Sequence, residues 1–400
     1  MSLNAVVSAE RLHIGFFGLR NAGKSSIVNA VTGQELAVVS NVKGTTTDPV
    51  KKAMELLPLG PVVIIDTPGL DDEGELGLMR VEKARRVLAM TDIAVLVVDG
   101  TLGLQALDKE LLLEFSRRKI PHVVVYNKAD LLTQRTELAE NAIYASARTG
   151  ENIHTLKEKL ADFARTKQQD RVPVSDLLET GDVVLLVTPI DESAPKGRLI
   201  LPQQLVIRDI LDAHCVPVLC QVEELAKVLE KITPKLVITD SQAFGPGSKI
   251  VPENIMLTSF SILMARYKGD LATLVAGAAR LSQLKDGDKV LICEGCTHHR
   301  QCGDIGTVKL PAWIRKFSGA DFTFRFTSGG DFPRDLAEYA LIVHCGGCML
   351  NEKEMTFRME QAKEAGVPMV NYGIAIAMVN GILKRSLEPF PKILDILDSL

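Results

Sequence analysis

A glycine-rich segment near the start of the chain has the residue types and the spacing that bind phosphate. Residues 18–25 read GLRNAGKS, the pattern G-x-x-x-x-G-K-S, between an apolar run at 12–17 and a helix-like segment at 27–31. In such a turn the backbone N–H groups point at phosphate oxygens, and the lysine reaches the outer phosphates. The hydroxyl of Ser25 is a predicted ligand of Mg²⁺. The predicted phosphate-binding residues are Asn21, Ala22, Gly23, Lys24, Ser25 and Ser26.

A second group of polar residues follows the apolar, strand-like run at 62–65. This run leads directly into Asp66-Thr67-Pro68-Gly69. A carboxylate at the end of a strand can hold Mg²⁺ through water, and the Gly69 N–H can meet a terminal phosphate. We therefore expect Asp66 and Gly69 to face the phosphates that Lys24 binds.

A third group carries the signature of guanine recognition. The run at 122–126 ends in Asn127-Lys128-Ala129-Asp130. Asp130 can accept two hydrogen bonds from the N1–H and the exocyclic amine of guanine, and adenine offers no such pair. We expect Asn127 to brace the loop and the Lys128 stem to lie along the base. Ser146 and Ala147, after a short strand at 142–145, should direct a backbone N–H at the guanine oxygen.

These elements, in this order and at these strand ends, resemble a small GTPase domain of the translation-factor-related bacterial class. The resemblance covers about 160 residues and implies a P-loop domain with a doubly wound sheet over residues 1–170. By the family pattern, Thr46 in the hydroxyl-rich run 42–48 completes the Mg²⁺ shell. The catalytic residues implied are Lys24, Thr46, Asp66 and Gly69.

Two positions depart from the Ras type. Leu70 follows Gly69, where Ras-type enzymes carry the glutamine that orients the attacking water. Asn21 lies inside the phosphate loop, as in similar GTPases that use K⁺ in place of an arginine finger, and K⁺ there would stabilise developing charge. The alternative is that Asn21 only braces the loop. We expect GTP hydrolysis to be slow and to be stimulated by K⁺.

Bulk composition limits the class of protein. A chain of 400 residues is too long for one core and suggests two or three domains. Its 46% hydrophobic and 24% charged residues are typical of a folded protein, and its net charge of −4 gives no general attraction to nucleic acid or to an anionic membrane. Because no basic segment precedes an apolar core at the N-terminus, we predict no signal peptide and a cytoplasmic location.

Residues 171–255 predict a small α/β domain. Strands are expected at 183–187, 216–222 and 236–239, with helices at 203–213 and 223–232. Its core would be marginal alone, so we expect it to pack against a neighbour or a second copy. Cys215 and Cys220 flank and lie in an apolar run, which favours buried thiols over metal ligands.

Residues 256–400 predict a second parallel sheet, with strands at 290–293, 322–326, 341–344 and 368–371 and a helix at 352–365. Five of the seven cysteines lie beyond residue 290. Cys293 and Cys296 leave the end of one strand, and Cys345 and Cys348 leave the end of another. If these strands are neighbours, thiolates from both segments meet in one crevice and can bind Zn²⁺ or an iron–sulfur cluster.

Spacing alone leaves the metal open. A zinc site of Cys293, Cys296, Cys345 and Cys348 satisfies the Cys₄ rule. However, Cys293 lies in phase with a buried strand, which favours a place in the core. Cys302 fits neither pattern, and we interpret it as a spare thiol.

The pattern Cys296-x-His298 with His344-Cys345-x-x-Cys348, together with the domain order, resembles the HydF family, the GTPases that mature FeFe hydrogenase. The resemblance implies a 4Fe–4S cluster held by Cys296, Cys345 and Cys348. Candidates for the fourth ligand are His298 and His344, with His299 as an alternative. It also implies that the small middle domain dimerises and that residues 256–400 form the iron–sulfur domain. The fold predicted is thus α/β with three domains.

The function implied is a GTP-hydrolysing scaffold that assembles the di-iron subcluster and delivers it to apo FeFe-hydrogenase. Its partners would be that enzyme, the radical-SAM maturases and further copies of the chain, as a homodimer or a larger oligomer. Two alternatives stay open: an RNA- or ribosome-associated GTPase with a zinc-stabilised C-terminal domain, and a redox enzyme regulated by GTP. The acidic charge balance counts against the first.

Overall fold

The computed structural model describes residues 8–34, 50–68, 84, 86–167, 171–190, 199–240, 243–295 and 305–399. The chain forms two compact units, Met1–Asp170 and Arg171–Leu400. We describe each unit by itself.

The first unit contains a six-stranded sheet with helices on its faces. Its strands are β1 Leu12–Phe17, β2 Val50–Leu56, β3 Gly60–Asp66, β4 Ile93–Asp99, β5 His122–Asn127 and β6 Ala142–Tyr144. The helices with described bounds are α1 Lys24–Thr32, α2 Ala106–Arg117 and α3 Ile153–Lys167, with 3₁₀ turns at Ser8–Glu10 and Ala129–Leu131; residues 86–89 are also helical.

The strand order of this sheet is β2-β3-β1-β4-β5-β6, and only β2 runs antiparallel to its neighbour. The predicted doubly wound sheet is therefore confirmed, with β2 added at one edge. Strand β2 was not predicted, because VKKAMEL is largely exposed and has no continuous apolar run.

Alternating side chains of the strands build two cores, one on each face of the first sheet. Ile14 and Phe16 of β1 pack on one face with residues of α1 and α3. Phe17 packs on the other face against Phe115 of α2, with ring centroids 5.4 Å apart. Successive residues of a strand point to opposite faces, so a nearly all-apolar strand supplies both cores.

The second unit contains two four-stranded sheets that are entirely parallel. The strands are β7 Val183–Val187, β8 Val216–Cys220, β9 Leu236–Thr239, β10 Met256–Ser259, β11 Lys289–Glu294, β12 Thr323–Ser328, β13 Leu341–His344 and β14 Met369–Asn371. The helices are α4 Leu201–Asp212, α5 Leu225–Leu229, α6 Phe244–Ile250, α7 Phe260–Lys268, α8 Leu271–Ala278, α9 Leu310–Ser318, α10 Glu352–Glu364, α11 Tyr372–Val379, α12 Leu383–Ser386 and α13 Pro391–Asp398. Short turns occupy Ser175–Leu177, Val222–Glu224, Ala279–Gln283 and, with π-helical geometry, Ile305–Lys309.

Both sheets have the same strand order. It is β8-β7-β9-β10 in one and β12-β11-β13-β14 in the other. In each sheet the second strand lies on one side of the first strand, and the third and fourth strands lie on its other side. This places a topological switch point between β7 and β9 and another between β11 and β13, where α/β sheets bind ligands.

One continuous core joins these two sheets. Val184 and Val206 from the middle region share it with Phe260 of α7 and with Ile292 and Val343 of the last sheet. The fourth strand of the middle sheet, β10, lies beyond residue 255, and α7 follows it directly. The division of residues 171–400 into two domains stays a prediction.

Within the described ranges, the structure contains no helix of the length and apolar character that crossing a membrane requires.

Candidate nucleotide site and candidate metal centre

The phosphate loop connects β1 to α1 through two residues in the left-handed backbone region. These are Asn21, at φ 62°, and Gly23, at φ 82°. Asparagine tolerates this region better than most residues, and glycine adopts it without cost. A β-carbon at Gly23 would also collide with the Nδ2 of Asn127, so only glycine fits there. The loop geometry thus requires the residue types found at both positions.

Asp66 lies beside the phosphate loop because β1 and β3 pair in parallel, with Phe16 opposite Asp66. Its carboxylate accepts hydrogen bonds from the Ser25 hydroxyl, at 3.2 Å, and from the Lys24 ammonium. Two oxygen donors, a carboxylate and a hydroxyl, thereby converge at the start of α1. This donor set fits Mg²⁺, which prefers oxygen ligands and retains several waters.

Asn127 connects the phosphate loop to the loop predicted to bind the base. Its buried amide donates to the Ala22 carbonyl at 3.0 Å and accepts from the Ala147 N–H at 3.1 Å. One side chain therefore holds two loops that are far apart in sequence. A buried amide with both ends hydrogen-bonded has little freedom, which makes this brace rigid.

Asp130 lies at the predicted base-recognition position with its carboxylate oriented by a neighbour. The Ser146 hydroxyl donates to it at 2.6 Å, and this hydrogen bond holds the pKa of Asp130 below its ordinary value. The carboxylate is therefore ionised near neutral pH and acts purely as an acceptor. This is the state that pairing with two N–H groups of guanine requires.

Lys128 has a partner that was not predicted from the sequence. Its ammonium donates to Asp99, at the end of β4, and the β4–β5 register places Asp99 opposite Asn127. Burial alone would raise the pKa of Asp99, but hydrogen bonds from Lys128 and Thr101 outweigh it and lower the pKa. The sequence feature that could have revealed this partner is the acidic residue that ends the apolar run at 93–98.

Several predicted residues lie outside the described residues. They are Thr46, Gly69, Cys296, His298, His299 and Cys302. Thr67, two residues before Gly69, is hydrogen-bonded to strand β1: both its N–H and its hydroxyl donate to the Phe16 carbonyl, at 3.2 and 2.7 Å. Of the nucleotide-site predictions, the structure brings together Lys24, Ser25 and Asp66, and separately Asn127 with Ala147 and Asp130 with Ser146.

In the second unit, the two cysteine-bearing segments meet at the carboxyl edge of the last sheet. Strands β11 and β13 are neighbours, with Cys293 opposite His344. The Gly295 N–H donates to the Cys345 sulfur at 3.0 Å, and the Gly347 N–H approaches the same sulfur at 3.4 Å. Gly295 immediately precedes Cys296 in the chain. N–H donors directed at a thiolate sulfur are the surroundings that iron–sulfur ligation uses.

The predicted ligand set extends beyond the described residues. Within the described ranges, no three His, Cys, Asp or Glu side chains are grouped closely enough to hold a metal ion. Cys345 and Cys348 follow the end of β13; both are half-buried, and neither forms a disulfide. Two thiols with backbone N–H donors beside one of them fit a soft metal or an iron–sulfur cluster, provided that further ligands come from 296–304.

Cys293 belongs to the core. Its side chain is fully buried, the Thr327 hydroxyl donates to its sulfur at 3.3 Å, and burial raises the pKa of its thiol to about 11. Cys293 is thus a poor thiolate donor, and the zinc site that includes it is not favoured. Cys215 is also buried, and its thiol donates to the Glu179 carbonyl at 3.1 Å.

His344, one of the predicted candidates for the fourth ligand, has hydrogen-bond partners at both ring nitrogens. Its Nδ1–H donates to the Cys345 carbonyl at 2.7 Å, and its Nε2 accepts from the Arg358 guanidinium at 3.0 Å. Burial, together with the charge of Arg358, lowers the pKa of His344 to about 3. This neutral imidazole orients the cysteine loop, and the fourth ligand stays a prediction, with His298, His299 and His344 as its candidates.

Two buried cations at this edge were missed from sequence. Arg358 of α10 bonds to His344, to the Gly329 carbonyl at 2.7 Å and to Glu354 at 2.8 Å. Lys268, the last residue of α7, donates to the carbonyl oxygens of Cys348 and Leu350. Neither residue could be recognised from the sequence, because no local motif marks it. An arginine or lysine in an amphipathic helix usually lies on a solvated face.

The fold and the two sites define a P-loop GTPase with an appended α/β unit that carries a cysteine-bearing sheet edge. Residues 13–128 match the family described as 50S ribosome-binding GTPase. Residues 174–269 match the hydrogen maturase F dimerization domain, and residues 272–389 match the hydrogen maturase F tetramerization domain. The last two matches together cover more than half of the chain. The chain belongs to the hydrogen maturase F (HydF) family, and these domain descriptions indicate that it oligomerises.

Curated relatives resemble only part of the chain. The tRNA modification GTPase MnmE of Chromobacterium violaceum is 35% identical over 159 residues, 38% of this chain and 35% of the relative. GTPase Der of Wolinella succinogenes is 32% identical over 185 residues, 42% of this chain and 39% of the relative. The chain thus spans little more than a third of the length of these relatives. Era of Aquifex aeolicus bound to GDP·AlF₄⁻ is 21% identical, with a TM-score of 0.35 over 54% of this chain and 67% of its own.

Proposed function

We propose that this protein is a GTP-hydrolysing scaffold that holds a 4Fe–4S cluster with Cys296, Cys345 and Cys348. It assembles the di-iron subcluster and delivers it to apo FeFe-hydrogenase. Membership of the HydF family supports this function. The single observation that carries it is the 3.0 Å hydrogen bond from the Gly295 N–H to the Cys345 sulfur, because Gly295 precedes Cys296.

Three protein thiolates leave one iron with a position for an exchangeable ligand. When bound, such a cluster can bridge to an incoming thiolate- or cyanide-bearing fragment. The protein's own residues orient the thiolates: the N–H groups of Gly295 and Gly347 face Cys345, and His344 holds its carbonyl. These contacts support a preformed site rather than one that folds around metal.

We assign the GTPase unit the role of a switch. GTP would order the segments around Thr46 and Asp66, and hydrolysis would release them and change the affinity for the hydrogenase and the radical-SAM maturases. The test is to measure association with these partners in the presence of GDP and of a non-hydrolysable GTP analogue. Equal affinities in the two states would rule out the switch.

Turnover should also respond to K⁺. Asn21 is exposed in the phosphate loop with a left-handed backbone, a placement that leaves its amide oxygen able to meet a cation near the phosphates. We expect faster hydrolysis in K⁺ than in Na⁺ at matched ionic strength, and we expect Asn21→Ala to remove the difference. Equal rates of hydrolysis by the unmodified protein in the two salts would contradict stimulation by K⁺.

The experiment that tests the scaffold is anaerobic purification followed by analysis of iron, sulfide and zinc. We expect a brown protein containing iron and sulfide, and a colourless Cys345→Ala variant with nearly unchanged GTP hydrolysis, because the GTPase forms a separate compact unit. Cys220→Ala, which changes another partly buried thiol of the second unit, is the matched control and should stay brown. Colourless protein with one zinc would instead favour the ribosome- or RNA-associated GTPase.

A dimer is also part of the proposal. Strand β8 is an edge strand, and its Val216 and Leu219 side chains are 49% and 42% exposed. An apolar edge strand supports contact with a second copy of the chain, since an exposed edge of this kind is an association surface.

A further inference from the structure

We propose that strand β12 is a second self-association surface of this chain, at which two copies pair edge to edge into one continuous sheet. This contact joins pairs of chains that meet through β8 into tetramers. The inference goes beyond the proposed cluster scaffold and does not depend on a bound cluster. It rests on the strand edges of the second unit and on the groups that β12 exposes.

Each sheet of the second unit has one edge strand that is covered and one that is not. A β-carbon on Gly277 of helix α8 would collide with the Met369 carbonyl, so α8 covers β14. The Thr258 hydroxyl of β10 donates to the Ser386 carbonyl of α12 at 2.9 Å, and β10 is largely buried. The other two edge strands, β8 and β12, contain no fully buried residue. We call β8 and β12 the open edges.

The backbone of β12 can accept a further strand. The Thr323 N–H donates to the Asp288 carbonyl at 3.0 Å, so the odd-numbered residues of β12 direct their backbone groups at β11. Because this direction alternates along a strand, the N–H and C=O groups of Phe324 and Phe326 point away from the sheet. Strand β12 also contains no proline, whereas β8 contains Pro217. A proline removes one backbone donor, so β12 has the more complete edge.

The side chains of β12 place apolar area beside this edge. Phe322, Phe324 and Phe326 form a row, with successive ring centroids 5.2 and 6.2 Å apart. Phe322 is buried at one end of the row, and Phe326 is 38% exposed at the other. Arg315 of α9 lies over the Phe324 ring, 5.0 Å from its centroid. The row is thus fixed on the core at one end and presents an aromatic ring to a partner at the other.

The partner that fits this edge is a second copy of the chain. The match to the hydrogen maturase F tetramerization domain covers residues 272–389, which include β12 and the covered strand β14. The match to the dimerization domain covers residues 174–269, which include the other open edge, β8. Each of the two matched regions therefore has one open edge. A two-fold contact between identical edge strands makes them antiparallel, and two four-stranded sheets then form one of eight strands.

Charge and strand length select the register of this pairing. Because outward backbone groups must meet outward groups, the two-fold axis passes beside a residue of β12. An axis at Arg325 puts two guanidinium groups opposite each other, which is destabilising. An axis at Thr327 places Arg325 opposite Gly329, beyond the end of the strand. An axis at Phe326 places Arg325 opposite Thr327 and the two Phe326 rings side by side, so we infer this register.

The first test measures the mass of the full-length protein by light scattering after gel filtration. We expect four chains for the unmodified protein and two for Phe326→Glu, because the substitution places two carboxylates opposite each other in the contact. The dissociation constant between pairs should rise about a hundredfold. Combining Phe326→Glu with Leu219→Glu on β8 should give single chains. Leu113→Glu changes an exposed leucine of the GTPase unit and should keep four.

The second test probes the register by cross-linking. Residues directly opposite in an antiparallel pair have Cα atoms about 5.5 Å apart, within the range of a disulfide. Phe326→Cys should therefore form a bond between copies on mild oxidation, seen as a band of two chains on a non-reducing gel. In the same register, the Thr323 positions of the two copies are about 20 Å apart. Thr323→Cys, on the same strand, should show no more cross-linking than the unmodified protein.

The outcomes separate this inference from the cluster scaffold. A mass of two chains or fewer for the unmodified protein overturns the role of β12, and so does a Phe326→Glu variant that keeps four. If Phe326→Glu does not fold by circular dichroism, cross-linking decides. A Phe326→Cys variant that forms no bond, or a Thr323→Cys variant that cross-links equally, overturns the pairing. The iron content of the unmodified protein tests the scaffold separately, whatever its mass.

Discussion

At the scale of single residues, the nucleotide site is organised by side chains that hold loops as well as by those that face the ligand. Asn127 is the clearest case, because its amide bonds to the phosphate loop through Ala22 and to the base loop through Ala147. Ser146 does the same for Asp130, whose carboxylate it orients. Base specificity should therefore depend on the hydrogen-bonding type at Asp130.

Asp130→Asn replaces a pure acceptor with a group that also donates. The two N–H groups of guanine would lose their acceptor pair, and we expect GTP affinity to fall about a thousandfold, from two charge-assisted hydrogen bonds. Xanthosine triphosphate carries a carbonyl where guanine carries the amine, so its affinity should rise relative to GTP. Titration of both nucleotides measures the effect. Asp162→Asn, which removes an exposed carboxylate of α3, should leave both affinities unchanged.

Asp108, in the first turn of α2, should lower the free energy of unfolding by an amount that depends on pH. It is buried, one carboxylate oxygen finds no hydrogen-bond partner among the described residues, and the other accepts the Gln105 N–H at 3.1 Å. Burial raises the pKa of Asp108, and the Gln105 hydrogen bond offsets this only in part. The folded state therefore holds the proton more tightly than the unfolded chain, and this group destabilises the fold as pH rises above its ordinary range.

Asp108→Asn should accordingly stabilise the GTPase unit at neutral pH, because the amide keeps the acceptor for Gln105 without a buried charge. Unfolding temperatures of the variant and the unmodified protein should differ at pH 7 and converge near pH 4. Asp162→Asn serves as the control, since its carboxylate is exposed. A gain that is the same at both pH values would show that charge burial is not the cause.

At the scale of elements, helix α8 lies unusually close to strand β14. A β-carbon on Gly277 would collide with the carbonyl oxygen of Met369, which is backbone and cannot rotate away. Gly277→Ala should therefore force the helix off the sheet and destabilise the second unit by about 3 kcal/mol, the upper range for overpacking.

Gly245 in α6 is the matched control for Gly277. A β-carbon there would meet nothing within 4 Å. Alanine should thus raise stability by about 0.5 kcal/mol through its higher helix propensity. Thermal or urea unfolding of the two variants measures both effects. If both substitutions change stability in the same direction, the close approach of α8 to β14 is not what requires glycine.

At the scale of the whole molecule, the two units divide the chemistry. The first carries the nucleotide site, and the second carries both the cysteine-bearing edge and the exposed strand β8. Because the family's domain descriptions include dimerization over residues 174–269, β8 is the surface on which we expect copies to meet.

Leu219→Glu should weaken this association. A carboxylate placed in an apolar interface is a buried, unpaired charge. We therefore expect a larger fraction of the chains to be in the smallest oligomeric form at micromolar concentration. Light scattering after gel filtration measures the mass. Leu113→Glu changes an exposed leucine of the GTPase unit and should have no effect. An unchanged mass for Leu219→Glu would place the interface elsewhere.

Local patterns were enough to predict most of the fold. Strands β1, β7, β9 and β13 begin and end where their apolar runs do, because a strand buried on both faces reads as a continuous apolar run. The phosphate loop and the cysteine pairs could also be located, since glycine turns and strand ends are short-range features. Strand β2 is largely exposed, and half of the short strand β10, MLTS, consists of hydroxyl residues, so neither contains a continuous apolar run.

The sequence by itself therefore determined which segments are strands, where the nucleotide and thiol chemistry lies, and that the two cysteine segments belong to strand ends. Only the tertiary structure decided that His344 is engaged by Arg358, and that Asp99 and Lys268 contact loops distant in sequence. The physical reason is range. Propensity and periodicity act over a few residues, whereas the direction of a side chain at a strand end is set by neighbours that the fold brings from far along the chain.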